Sequence, residues 1–124
     1  RGIPSFRDLE VYKKAYAISV LVHKKSLNFP KIEQYALGDQ LRRTTKSICA
    51  NIAEGFTKQR ASKPEFKRFL MIALGSTSEA LVWIDYCLDM DYIDEQTHQN
   101  WKTEYESIGK MLNSFHSRIK VSDD

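Results

Sequence analysis

A chain of 124 residues, 42% hydrophobic and 11% aromatic with a net charge of +3, can bury a single core, so one compact domain over 1-124 is expected. Gly 5 and Pro 3 leave few turns and no flexible linker, which favours long helices over many short strands. No stretch nears the roughly 20 apolar residues of a membrane span and no apolar leader is present, which excludes a membrane role and predicts a soluble, cytoplasmic protein. Cys49 and Cys87 lack the spacing of a zinc site or disulfide framework. Packed thiols in a reducing compartment are expected, with no metal and no cofactor. The chain opens on Arg1-Gly2 rather than Met, which suggests an N-terminus that is either trimmed or not the native one.

The first predicted helix covers about 6-27. "SFRD" places Ser5 three residues before Asp8, an acidic variant of the capping box. Leu9, Tyr12, Tyr16, Val20, His23 and Leu27 make one stripe, and Val11, Ala15, Ile18 and Val22 make a second beside it, so the apolar face is wide. Pro30 lacks an N–H and disfavours helical geometry at Phe29, which ends the helix. The second helix, about 32-58, contains "LRRTTKSICANIAEGF", with Leu41, Thr45, Ile48, Ile52 and Phe56 on its stripe. "ASKPEF" starts the third, about 63-88: Ser62 is the N-cap, Pro64 lies in the first turn and Glu65 follows three residues after the cap. Its stripe is Phe66, Leu70, Ala73, Leu74, Thr77, Leu81, Ile84 and Leu88, yet Met71, Ile72, Val82, Trp83 and Tyr86 fall outside it. Asp94 caps the fourth, about 95-120, where Trp101, Tyr105, Ile108, Leu112, Phe115 and Ile119 share a face before "VSDD" frays. Short connections between four amphipathic helices predict an all-α fold, an antiparallel up-down-up-down four-helix bundle. The surplus apolar surface on the first and third helices predicts that bundles associate.

Along the edge of the second helix, Arg43, Ser47, Asn51 and Glu54 are spaced four, four and three, which stacks them in one line. A hydrogen-bonded seam or subunit interface is expected there, facing Ser76 and Glu79 and bordered by Ile72, Val82 and Trp83. Ala50, Ala53, Gly55 and Gly75 would let backbones close up, and Glu54 would draw on Arg43 or Arg42 as its cation.

Charge is unevenly spread. Residues 40–70 carry eight Lys/Arg against two Glu, whereas residues 71–124 carry four against ten Asp/Glu. Lys58, Arg60, Lys63, Lys67 and Arg68 cluster about the turn between the second and third helices, and Arg42 and Lys46 are expected to extend them on the outer face. Phosphates suit such a patch, through charge and counterion release. The competing readings are head-to-tail contact between oppositely charged ends and ordinary solvated surface. Phe56, Phe66 and Phe69 are the aromatics among these cations and are needed for the core, so contacts to a nucleic-acid backbone are expected rather than base stacking.

For catalysis the candidates are Glu54, Glu79, Asp85, His23, His98 and His116, in no diagnostic spacing. His23 reads as a packed histidine, and His98 and His116 as solvent-facing. Glu79 and Asp85, six residues apart, diverge by about 120° on a helix, poor geometry for paired ligands. "IALGS" lacks the strand and second glycine of a phosphate loop. A nuclease therefore ranks behind a nucleic-acid binder and a protein-interaction scaffold.

"FRDLEVYKKA", "FPKIEQYALGDQLRRTTKSICANIAEG", "FKRFLMIALGSTSEAL" and "IGKMLNSF" span almost the whole chain. They resemble the bacterial four-helix-bundle proteins encoded in intervening sequences of 23S rRNA genes, and the pairing of "NIAEG" with "ALGS" is specific. The fold also looks like that of accessory proteins of diversity-generating retroelements, which are basic, ring-forming RNA binders that assist a reverse transcriptase. The resemblance implies a homo-oligomeric ring, a pentamer, acting on structured RNA or other nucleic acid without catalysis, with a reverse transcriptase or another protein as a further partner.

Overall fold

A computed structural model describes residues 2–121, in which the regular structure is entirely helical. Four long helices follow one another: α1 (Glu10–Ser26), α2 (Leu37–Lys58), α3 (Lys63–Asp89) and α4 (Glu95–Arg118). Val121 is exposed and non-helical, and the rest of the "VSDD" tail, like Arg1, lies outside the described residues.

The first helix begins later than its capping signal suggests. Ser5 Oγ accepts from the Arg7 N–H at 3.1 Å, but it caps only a single 3₁₀ turn, Phe6–Asp8, before Leu9 turns extended at φ −70, ψ 130. The buried face of α1 is Val11, Ala15, Ile18 and Val22 together with Ser19 and Ser26. Tyr16 and Leu27, from the other stripe, are 54% and 57% exposed. The two serines explain the choice of face, because each hydroxyl bonds back to its own helix (Ser19 to Tyr16 O, 2.8 Å; Ser26 to His23 O, 2.7 Å) and can be buried without an orphaned donor.

The second helix starts at Leu37 rather than near residue 32. Lys31–Glu33 form a separate 3₁₀ turn and Ala36 leaves helical geometry (φ −122, ψ −106). Glu33 Oε1 accepts from Leu37 N–H at 3.2 Å and so satisfies one open donor of the first turn. Ser62 Oγ accepts from Glu65 N–H at 3.1 Å to start α3, and Asp94 Oδ1 accepts from Thr97 N–H at 2.8 Å to start α4. Between them the chain turns through a Schellman motif: Tyr92 N–H reaches Cys87 O and Asp91 N–H reaches Leu88 O, each at 2.9 Å. Asp91, at φ 64, holds the left-handed position that glycine usually fills.

Packing follows a cycle. α1 lies on α2 and α4, α3 lies on α2 and α4, and α1 and α3 make no close backbone approach. Contacts between α2 and α3 run in opposite order along the two helices: Thr44 meets Glu79, Ser47 meets Ser76, and Gly55 faces Phe66 and Phe69. The shared core contains Leu41, Ile48 and Ile52 of α2, Leu70 and Ile84 of α3, and Tyr105, Ile108 and Leu112 of α4, all fully buried. Removing each such aliphatic side chain from water contributes about 1.5–3 kcal/mol.

Candidate functional site

The turn between α2 and α3 is short and locally bonded, with Ser62 N–H on Lys58 O at 2.9 Å, so the cations around it are held close together. Lys58, Arg60 and Lys63 are exposed and make no ion pair among the described residues. Lys67 and Arg68 are engaged. Lys67 Nζ crosses to Ile119 O at 3.1 Å, and Arg68 grips Glu65 through Nε and a terminal nitrogen, both at 3.1 Å, while its guanidinium lies 4.7 Å from the Phe69 ring centre. The hydrogen-bonded Arg68 holds the Glu65 carboxyl below its ordinary range.

Arg42 and Lys46 do not extend this patch. At 1.5 Å rise per residue they lie roughly 24 and 18 Å along α2 from Lys58. Arg42 is also turned inward, donating to Ser26 Oγ at 2.8 Å, Gln34 Oε1 at 3.3 Å and Gln34 O at 2.6 Å. It fastens the α1–α2 connection to α2. Lys46 is exposed but stands beside a groove between α1 and α2. In their place the Lys67–Ile119 bond brings the end of α4 to the basic turn, adding Arg118 and exposed Lys120. Those two are absent from the sequence-based patch because they belong to the acidic half of the chain, and only the packing order of the helices returns them to this end.

The polar edge of α2 is partly a seam. Ser47 Oγ and Ser76 Oγ are 3.1 Å apart, and Asn51 Nδ2 donates to Ser47 O at 2.8 Å and to its Oγ at 3.0 Å. Thr44 Oγ1 and Trp83 Nε1 both donate to Glu79 Oε2, at 3.2 and 3.1 Å. Thr44 is the buried member the sequence pattern missed, since a threonine next to an apolar stripe reads as core. Arg43 and Glu54 lie outside the seam. Arg43 Nε pairs with Asp39 one turn earlier at 2.9 Å, whereas Glu54 is eleven residues away, roughly 16 Å along the axis. Glu54 is exposed and without an ion pair among the described residues, because its neighbour Gly55 is the position that faces α3. A Cβ on Gly55 would come 2.8 Å from Phe69 Cβ, while one on Gly75 would meet nothing within 4 Å, so only the first glycine permits close approach. Ile72 and Val82 are exposed on α3 and Trp83 is half-buried beside the seam.

The titratable groups converge poorly. His98 Nε2 meets Asp85 Oδ1 at 2.9 Å across α3 and α4, and at 15% exposure its side chain is no free surface imidazole, contrary to the expectation. His116 is likewise half-buried, its pKa pushed down by burial and then by Lys67. His23 is half-buried beside the α1/α2 groove and is pushed down by burial, Lys46 and Arg42. Cys49 and Cys87 are free and buried, and burial raises their thiols to about 11 and about 12, far from a reactive thiolate. Among the described residues no group of three or more His, Cys, Asp or Glu is placed to hold a metal ion, and no helix is long and apolar enough to cross a membrane.

Four helices around one core, with a basic turn at one end, define a helical-bundle protein. Residues 7–114 match the 23S rRNA-intervening sequence protein family, and the chain belongs to that family. A solved structure is also similar, that of a protein with unknown function from the S23 ribosomal protein family of Bacteroides thetaiotaomicron. It is 26% identical, with 86% of this chain and 97% of that one covered and a TM-score of 0.76. No curated protein matches the chain.

Proposed function

We propose that the chain is a non-catalytic, antiparallel up-down-up-down bundle that assembles into a homo-oligomeric ring, a pentamer by the family resemblance, and binds the backbone of structured RNA or DNA. The carrying observation is the triad of Lys58, Arg60 and Lys63, exposed at one tight turn and without ion pairs among the described residues. A ring repeats that triad around an axis, so contacts that are weak singly add through effective concentration. Lys67, Arg68, Arg118 and Lys120 supply the surrounding positive field. Mobility shifts against a structured RNA test this reading. With six phosphates neutralised, log K against log salt has a slope of about −4 to −5, and Lys58→Gln with Arg60→Gln and Lys63→Gln flattens it. Absence of binding at low salt overturns it.

An accessory scaffold is the second reading, and one feature favours it. Ile32 and Tyr35 are 84% and 94% exposed on a segment fixed by Arg42, by Gln34 and by the 2.8 Å bond from Tyr92 Oη to Glu33. Rigid backbone presenting bare apolar side chains suits a protein partner.

A further inference from the structure

The groove between α1 and the outer side of α2, about 550 Å³ in volume, has Tyr12 and Tyr16 on one wall, small Ala50 and Ala53 on α2, and Lys24 and Lys46 at its rim. Its charge has one sign. Lys24 and Lys46 are the charged side chains that line it, and no Asp or Glu is among its lining residues.

The outward face of α3 has the opposite relief and the opposite sign. Ile72, Val82 and Tyr86 stand 39% to 50% exposed there, and Met90, just past the helix end, is 50% exposed. Glu79 lies on that face, accepting from Thr44 and Trp83, and Asp89 lies at its edge, while Asp85 is turned toward His98 of α4; residues 69–89 contain no Lys or Arg. Large side chains on a ridge meet their steric complement in a groove whose α2 side carries alanines, and an acidic ridge meets its electrostatic complement in a basic rim. The two surfaces cannot meet within one molecule, because α1 and α3 lie apart in the packing cycle.

We infer that the α1/α2 groove receives the α3 ridge of a second copy of this chain. This rests on the homo-oligomer reading above and names the two faces that would form it. Because groove and ridge are different surfaces, the contact is heterologous: every added copy leaves one groove and one ridge open, so growth ends only when the series closes on itself. A nucleic acid is the poorer occupant, since phosphates gain nothing from the apolar lining and only Lys24 and Lys46 among the lining residues carry positive charge.

Two variants separate the faces. Ala50→Glu obstructs the groove and opposes an acidic ridge, whereas Val82→Lys with Tyr86→Lys spoils the ridge; all three side chains are exposed, so the bundle itself is undisturbed. Light scattering at micromolar concentration is expected to show an oligomer for the unaltered chain, a monomer for each variant alone, and a one-to-one heterodimer that grows no further when the variants are mixed. That heterodimer needs one intact groove and one intact ridge, and no contact between like surfaces produces it. A monomeric unaltered chain overturns the oligomer reading and this inference together. An oligomer that survives in both variants, or monomeric variants that ignore each other, overturns the assignment of faces and leaves the oligomer reading standing. Should either variant misfold, Lys46→Glu is the second measure, with association weakened about tenfold at low salt, and unchanged association again overturns the assignment.

Discussion

The two flanks of α2 carry small residues that do opposite things. Toward α3, Gly55 lets Phe66 and Phe69 approach until no Cβ would fit, and Ser47, Asn51 and Thr44 form hydrogen bonds along the contact. Toward α1, Ala50 and Ala53 are met by no such approach and an open groove remains. A small side chain therefore signals close packing only where the neighbouring helix presents bulk directly opposite. The wheel of α2 shows the small residues but cannot show which neighbour leans in.

The largest expected effect breaks the closed flank. Gly55→Val forces three carbons against Phe69 Cβ and the Phe66 ring, and is expected to cost about 2–3 kcal/mol in urea denaturation. Ala50→Leu, on the open flank, stays within roughly 0.5 kcal/mol. Gly75→Ala sharpens the contrast further: with nothing within 4 Å of the added carbon, helix propensity alone acts and the bundle gains about 0.5–1 kcal/mol. Equal losses at Gly55 and Ala50 would abolish the distinction between the flanks.

Next in size is a pair that the sequence groups together. Arg42 and Lys46 sit one turn apart on α2, so periodicity alone assigns them a common outward role. Tertiary contacts decide otherwise, because the end of α1 offers Ser26 Oγ and the chain after Phe29 folds back to offer Gln34 O to the guanidinium. Arg42→Met is expected to cost about 2–3 kcal/mol by stranding those acceptors, and Lys46→Met no more than roughly 0.5, both by chemical denaturation. Similar small losses for both would return Arg42 to the surface patch.

Legibility in the sequence followed the range of the determining contact. Caps set by residues three apart, Ser62 with Glu65 and Asp94 with Thr97, were readable, as were the apolar faces of α2 and α4, where one stripe dominates. Tertiary choices were not. The rival stripes of α1 were separated by two serines that hide their hydroxyls, and the partner of Arg43 was settled by Asp39 being nearer than Glu54. In the candidate site, Lys58, Arg60 and Lys63 were visible because a turn brings sequence neighbours together. Arg118 and Lys120 were hidden because they reach the same place only through the packing of α4.

The smallest expected effect concerns pH and tests the open flank. Burial first, then Lys46 and Arg42, depress the pKa of His23 below its ordinary 6.5, and burial with Lys67 does the same to His116. In the window just below pH 6.5 the unfolded chain takes up protons that the folded chain refuses, so stability is complete above that window and falls with pH down to the folded pKa values. His23→Gln removes the first contribution and shallows the slope in denaturation midpoints measured between about pH 5 and 7. Lys24 beside it on α1 and Lys46 and Arg42 on α2 are the charges this histidine meets in a single molecule. If the groove is filled by the ridge of another copy, Glu79 and Asp89 act against those cations while the added burial acts with them, so the environment of His23 changes on assembly. The His23-dependent slope is then expected to differ between dilute, dissociated protein and assembling concentrations, and an identical slope at both would count against a covered groove.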